Sequence, residues 1–234
     1  MSFLLHFAGS GGGEAVSPLT QGIDFDTTDW LEMTSANWGA FDREKFAVIA
    51  RVEPNAFSNE FYLYVKQGEL EIKFQTNGAL RINTSNPPSG NGQWISDAGV
   101  VGAGGAVNVL VHYDRQSATT GERIRAWADG VELTPASYTA PSAAMATGTN
   151  PMRLNSSQNG AVHGDGTLYS AAFVSGALPD PADVFTSSGK LKDLSGLSGL
   201  YSYLDVDGGD VTSDDTRGTD WTSNGTPTAI EVTQ

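Results

Sequence analysis

The sequence predicts an all-β domain built from short antiparallel strands. Glycine and proline, at 28 and 10 of 234 residues, are scattered along the chain, which suits many strands joined by tight turns. Apolar and polar residues alternate in several short segments, and no long amphipathic helix is apparent. Because all-β domains of this size commonly form one unit, we expect a single domain over residues 22–234, preceded by an N-terminal arm over residues 1–21.

The N-terminal arm combines an apolar patch with a glycine-rich spacer. The apolar residues of the patch are Phe3, Leu4, Leu5 and Phe7. The spacer, residues 9–13, has almost no side chains that could pack. We expect the patch to attach the protein to a larger assembly, and the alternative is that it forms a first core strand. The chain start resembles no signal peptide, which predicts synthesis in a cytosol.

The first half of the domain contains strand signals separated by turns. Residues 23–26 and 30–33 flank a turn and predict a short hairpin. Residues 46–52 are mostly apolar, which is typical of a strand covered on both faces. The next segments alternate between apolar and polar residues and predict a meander of strands. These segments are 61–65, 70–74 and 80–82.

The run from Val107 to Asp114 is the clearest strand in the sequence. A polar loop follows it, and residues 124–133 then carry an Asp129-Gly130 turn between two further strands. We expect these strands at the centre of an antiparallel sheet, with Trp127 in the core.

The remainder of the chain predicts two strands and one or two short helices. Residues 164–174 and 200–206 have the apolar character of strands. Asp180 is positioned to cap a short helix over residues 181–185, because its carboxylate accepts from free backbone amides and Pro181 suits the first turn. A second short helix is expected near residues 190–194.

Composition excludes several function classes. With 13 basic and 27 acidic residues, the net charge of -14 repels phosphate backbones, so we expect no nucleic-acid partner. No run is long and apolar enough to predict membrane insertion. Cysteine is absent, which excludes disulfides, thiolate metal sites and a cysteine nucleophile.

Several segments, in order, resemble the laminin-G-like branch of the concanavalin A-like lectin and glucanase superfamily. The segments are 23–33, 46–54, 107–114, 127–131 and 164–178. The resemblance implies a two-sheet antiparallel jelly-roll sandwich with one or two short helices. Members of this fold include sugar binders, glycanases and virion coat proteins, so the fold alone does not decide function.

The C-terminal segment, about residues 200–234, departs from that order. Residues 200–206 and 214–225 resemble a stretch that in many relatives precedes the opening strand. A permuted order preserves strand pairing, because the first and last strands of such a jelly roll lie side by side.

The same segment is similar to the ends of lectin-like bacteriophage proteins. This resemblance implies a non-enzymatic virion protein, such as a capsid decoration, head fibre or tail-associated module. Its partners would be capsid or tail proteins of the particle, and a homo-oligomer is compatible with that role. The alternative is a module that recognises a bacterial surface polysaccharide, with a glycanase as the third hypothesis.

Two pairs of carboxylates are candidates for catalysis, and a set of aspartates is a candidate for metal binding. Glucanases of this superfamily place catalytic carboxylates on one strand as Glu-x-Asp-x-x-Glu, whereas Glu69 with Glu71, and Asp205 with Asp207, lack the third carboxylate. We therefore predict no catalytic residue. Three aspartates offer oxygen ligands for calcium, although an acidic turn explains them better. They are Asp205, Asp207 and Asp210.

Sugar binding favours an exposed aromatic ring beside hydrogen-bonding side chains. Trp94 with Asn91, and Trp38 with Asn37, have this arrangement in the sequence. Packing in the core is the alternative for either tryptophan. None of the three histidines lies in a metal or nucleophile motif, and we expect a structural role for His112 on its strand.

Overall fold

The computed structural model describes residues 21–34, 38, 41–86, 90–205 and 221–231. These residues form two antiparallel sheets of eight strands each, which we call sheet A and sheet B. A large apolar core lies between the sheets and includes Phe46 and Phe173 of sheet A and Trp94 of sheet B. The two-sheet jelly-roll sandwich implied by the sequence is confirmed. Within the described ranges, no helix is long and apolar enough to cross a membrane.

Each sheet takes strands from both halves of the chain. Sheet A contains β1 (Gln21–Phe25), β3 (Lys45–Ala56), β8 (Val107–Asp114), β9 (Ile124–Ala128), β10 (Val131–Glu132), β13 (Asp165–Ser175), β14 (Leu200–Asp205) and β16 (Thr228–Glu231). Sheet B contains β2 (Trp30–Met33), β4 (Phe61–Lys66), β5 (Leu70–Phe74), β6 (Leu80–Thr84), β7 (Gly92–Ser96), β11 (Pro135–Thr139), β12 (Met152–Leu154) and β15 (Thr222–Asn224). A short helix α1 (Pro181–Val184) and a 3-10 turn (Thr120–Glu122) complete the described elements.

The strand order confirms the predicted meander. Sheet B runs β11-β7-β6-β5-β4-β12-β2-β15, so β4 to β7 are neighbours in chain order. Sheet A runs β10-β9-β8-β3-β13-β1-β16, and β14 pairs with the other end of β13. Strands β9 and β10 therefore lie at an edge of sheet A, and the expectation that they are central was wrong.

The predicted hairpin over residues 23–33 is absent because its two strands belong to different sheets. Strand β1 pairs with β13 in sheet A, whereas β2 pairs with β12 in sheet B. Ile23 and Leu31 both point into the main core, from opposite sides. Alternation of apolar residues shows that each strand has a buried face, but it does not show which sheet each strand joins.

A covering segment, residues 177–199, packs on the outer face of sheet A. It forms a second apolar cluster in which Val184, Phe185 and Leu191 meet Trp127, as expected for a core tryptophan. Asp180 caps α1 as predicted, with its Oδ1 accepting from the amide of Ala182 at 2.9 Å. The second helix near residues 190–194 was wrong, because Leu191 instead pairs with Phe185 in an isolated bridge.

The described C-terminal strands lie beside the first strands. Strand β16 pairs with β1, and β15 pairs with β2. Asp29, buried in the β1–β2 connection, accepts from the amide of Thr226 at 2.7 Å and fixes the turn between β15 and β16. The first and last described strands are thus paired, and the permuted origin of this segment stays a prediction.

Candidate functional site

A row of polar side chains crosses the outer face of sheet B. Residues opposite each other on paired strands share a face, so the strand register places them in line. The register joins Thr139 to Gln93, Gln93 to Asn83, and Asn83 to Glu71, and then continues through Val65 to Arg153, Glu32 and Thr222. We call this set, except the buried Val65, the polar row. It contrasts with the outer face of sheet A, which the covering segment buries.

Asn83 is the centre of a hydrogen-bond network within the polar row. Its Oδ1 accepts from Gln93 Nε2 at 3.1 Å and from Arg81 Nε at 3.2 Å. Its Nδ2 donates to Glu71 Oε1 at 3.0 Å, and Glu71 also pairs with Lys73 at 2.9 Å. These contacts hold each side chain in one orientation and so lower the entropic cost of binding a ligand there.

An open cleft of about 440 Å³ lies over one end of the polar row. Its floor includes Asn83, Gln93 and Thr139. Its walls come from the β4–β5 turn, Gln158 and four residues of the β6–β7 region, Thr84, Ser85, Asn91 and Gly92. Neutral amide and hydroxyl groups dominate the lining. The complete lining is Gly68, Glu69, Asn83, Thr84, Ser85, Asn91, Gly92, Gln93, Thr139 and Gln158. No aromatic ring belongs to this described lining.

A buried ion pair supports the wall formed by the β4–β5 turn. Lys66 Nζ lies 2.7 Å from Glu69 Oε1, and both side chains are 0% exposed. Lys66 also donates to the carbonyls of Gly148 and Asn150, while Glu69 accepts from the Gly148 amide and pairs with Arg43. Every charge in this cluster therefore has a partner, and the cluster fixes residues 148–150 beneath the wall.

The opposite wall is held by the buried side chain of Asn86. Its Nδ2 donates to Tyr113 Oη and to the carbonyl of Ala143, and its Oδ1 accepts from Thr84. The backbone amide of Asn86 donates to Asn91 Oδ1 at 2.7 Å. This hydrogen bond to Oδ1 holds the Asn91 side chain against the cleft wall.

The structure places the predicted sugar-binding residues in different environments. Asn91 is exposed and lines the cleft. Trp94 and Trp38 are 1% and 0% exposed and belong to the main core. Neither ring forms an exposed platform, so packing, the alternative raised from the sequence, is their role. Asn37 lies outside the described residues.

The burial of Trp94 has a simple cause in the strand register. Trp94 lies opposite Ile82 of β6, whose side chain is in the core, and the neighbouring Gln93 therefore faces outward. The outward-facing residue of β7 is therefore one position away from the tryptophan chosen from the sequence. In strands β5 and β6, polar residues alternate with core residues, and in β7 Gln93 lies next to the core residue Trp94. This pattern marks Glu71, Asn83 and Gln93 as facing outward, and the sequence-based choice did not use it.

Both glutamates weighed for catalysis are held by cations. Glu69 lies in the buried cluster with Lys66 and Arg43, and Glu71 pairs with Lys73. Asp205 ends β14, while Asp207 and Asp210 lie outside the described residues. The described residues contain no group of three or more potential metal ligands. The calcium hypothesis therefore stays a prediction, as does attachment through Phe3, Leu4, Leu5 and Phe7, which also lie outside the described residues.

His112 is a buried residue of sheet A that is remote in sequence from the cleft lining. Its ring contacts Trp127 with centroids 4.6 Å apart. Burial, together with the nearby Arg125 guanidinium, lowers the pKa of His112 to about 4, while a hydrogen bond to the Pro179 carbonyl opposes that shift. The neutral ring packs between the sheet and the covering segment, which fits the structural role expected for it.

Several solved structures are similar in fold to most of this chain. A proposed carbohydrate-binding protein from Bacteroides ovatus has a TM-score of 0.65 and 14% identity over 91% of this chain, which spans 60% of that protein. A pentraxin from Limulus polyphemus has a TM-score of 0.55 and 12% identity, covering 92% of this chain and 96% of its own. The CBM40 domain of the Ruminococcus gnavus IT-sialidase, bound to sialyllactose, has a TM-score of 0.53 and 13% identity. This match covers 70% of this chain and 95% of the CBM40 chain.

At this level of identity, the comparisons define the fold and leave the ligand open. No protein-family model matches the sequence, and no curated protein matches it. The two-sheet architecture, the meander of sheet B and the similarity to these domains agree with one another. The chain therefore has the concanavalin A-like jelly-roll fold.

Proposed function

We propose that this protein is a carbohydrate-binding module whose site is the cleft over Asn83, Gln93 and Thr139. The observation that carries the proposal is the oriented hydrogen-bond network on the floor of this cleft. Sugar hydroxyls donate and accept hydrogen bonds, and amides, carboxylates and hydroxyls satisfy both functions. A cleft of about 440 Å³ also falls within the range of small-ligand sites.

The comparisons support the same class of ligand. The Bacteroides ovatus protein is a proposed carbohydrate binder, and the CBM40 domain holds sialyllactose. Binding is favoured over hydrolysis because Glu69 and Glu71 are both engaged by cationic side chains. A retaining glycosidase needs one carboxylate free to attack the sugar and a second free to donate a proton.

A glycan array comparing wild-type protein with Asn83→Ala tests this proposal. We expect wild type to bind a defined set of glycans and Asn83→Ala to lose most of that signal. Thr222→Ala is the matched control, because Thr222 is a polar, exposed member of the same row at the far edge of sheet B. Absence of binding by wild type, or equal binding by Asn83→Ala, would contradict the proposal.

Attachment to a bacteriophage particle is a separate proposal, which the sequence of the arm supports. The apolar patch followed by the glycine spacer suits a tether that docks at its tip. Cosedimentation of the full chain with particles, and its loss when residues 2–21 are deleted, is the expected result. Cosedimentation that survives the deletion would reject this role for the arm.

A further inference from the structure

Arg81 differs from the other cations on the outer face of sheet B. It lies opposite Lys73 on one side and Ile95 on the other, two residues before Asn83 on β6. Lys73 is neutralised by two carboxylates, Glu60 at 2.8 Å and Glu71 at 2.9 Å. Arg81 donates from Nε to Asn83 Oδ1, and no carboxylate of a described residue lies within ion-pair distance of it.

This lack of a partner is notable in a chain with about twice as many acidic as basic residues. The described arginines that form ion pairs are Arg43, Arg115, Arg125 and Arg153. Two described arginines without an ion pair have other contacts, since Arg123 donates to backbone carbonyls and Arg51 lies over the Tyr169 ring. Arg81 is partly exposed, and its hydrogen bond to Asn83 uses only Nε, so the guanidinium keeps unused donors.

The geometry sets Arg81 beside the neutral part of the site. Alternate residues of a strand share a face and are separated by about 7 Å, so Arg81 and Asn83 present adjacent positions to one ligand. The hydrogen bond to Asn83 also restrains the orientation of the guanidinium. An oriented guanidinium binds carboxylates through two parallel hydrogen bonds.

We infer that the ligand is an acidic saccharide, whose carboxylate is bound by Arg81 while neighbouring hydroxyls are bound by Asn83, Gln93 and Thr139. This inference rests on the proposed carbohydrate site and adds the chemical class of the sugar. A neutral glycan would leave the guanidinium without an anionic partner. A carboxylate supplies that partner and forms charge-assisted hydrogen bonds, which are about twice as strong as neutral ones.

The test is a glycan array in which each uronate- or sialate-containing glycan is paired with its own methyl ester. Esterification removes the negative charge and keeps the remaining hydroxyls. We expect wild type to bind the free acids at least about tenfold more tightly than the esters, which corresponds to about 1.4 kcal/mol. Arg81→Gln should reduce this preference to near unity, and Arg81→Lys should retain part of it, because lysine keeps the charge but not the paired donors.

One control variant and three alternative outcomes separate this inference from the site itself. Lys190→Gln removes an exposed cation of the covering segment and should leave the preference unchanged. Binding that depends on Asn83 but is equal for acids and esters would overturn the acidic ligand and retain the carbohydrate site. A preference that survives Arg81→Gln would overturn the role of Arg81, and no glycan binding at all would overturn both proposals.

Discussion

Gln93 donates a hydrogen bond from Nε2 to Oδ1 of Asn83, 3.1 Å away on the neighbouring strand of sheet B. The two amides lie on the floor of the cleft, and Asn83 is bonded in turn to Glu71. Each residue therefore sets the orientation of the next. The proposed site depends on this chain of contacts as much as on the individual groups.

Gln93→Ala should weaken glycan binding with little effect on folding. The substitution removes one ligand contact and frees the Asn83 amide to rotate, so we expect a loss of about 1 to 2 kcal/mol in binding free energy. Isothermal titration with an array-identified glycan measures this loss, and thermal unfolding checks the fold. Unchanged affinity would show that Gln93 does not contribute to the site.

Lys66→Met should destabilise the protein strongly. It leaves the buried Glu69 carboxylate with one partner fewer, and removing one member of a buried pair costs about 3 to 5 kcal/mol. Urea unfolding measures the free-energy change. The exposed Arg125–Glu132 pair provides the control, because Glu132→Gln should cost less than about 1 kcal/mol. Equal losses for the two variants would contradict the supporting role of the buried pair.

Asp29→Ala should loosen the C-terminal strands. The Thr226 amide would lose its acceptor, and losing this part-buried hydrogen bond costs about 0.5 to 1.5 kcal/mol. Hydrogen exchange at Thr226 should accelerate in this variant. Asp29→Asn is the matched control, since its amide oxygen still accepts and exchange should stay slow. Slow exchange in Asp29→Ala would show that strand pairing alone fixes the turn.

His112 should make stability depend on pH below neutrality. Its pKa is lowered from 6.5 to about 4 in the folded state, so the unfolded chain binds the proton more readily. The contribution of the neutral His112 ring to the free energy of unfolding is complete above pH 6.5. It is lost as the pH falls toward 4, by an amount on the order of 2 to 3 kcal/mol.

Unfolding free energies of wild type and His112→Asn at pH 7.5 and pH 4.5 measure this contribution. The variant keeps an amide that can donate to the Pro179 carbonyl but does not titrate in this window. We expect the loss on acidification to be smaller in His112→Asn than in wild type, and comparing the two losses cancels the contributions of groups common to both proteins. Equal losses would reject the assigned shift.

Much of the strand content was predictable because alternation and turn residues are local signals. The boundaries of β8, the Asp180 cap and the meander of β4 to β7 follow from short segments of sequence. The failures concern information that is not local. The separation of β1 from β2, and the edge position of β9, depend on how distant segments pair.

The candidate site was only partly predictable for the same reason. Asn91 was identified from a polar loop beside Trp94, and it does line the cleft. The contact between Asn83 and Gln93 depends on the register of β6 against β7, which single-strand patterns do not specify. Attention to tryptophan also favoured the face of β7 that lies in the core, because a large aromatic residue suits a core as well as a sugar platform.

We propose that a glycan occupies the cleft over the polar row. The most direct measurement is NMR of isotopically labelled protein titrated with an array-identified glycan, following the side-chain amide signals of Asn and Gln. We predict the largest shifts at Asn83, Asn91 and Gln93, with little change at Asn108 on sheet A. Shifts centred on Asn108 and the covering segment, with the cleft amides unchanged, would show that the glycan does not bind in the cleft.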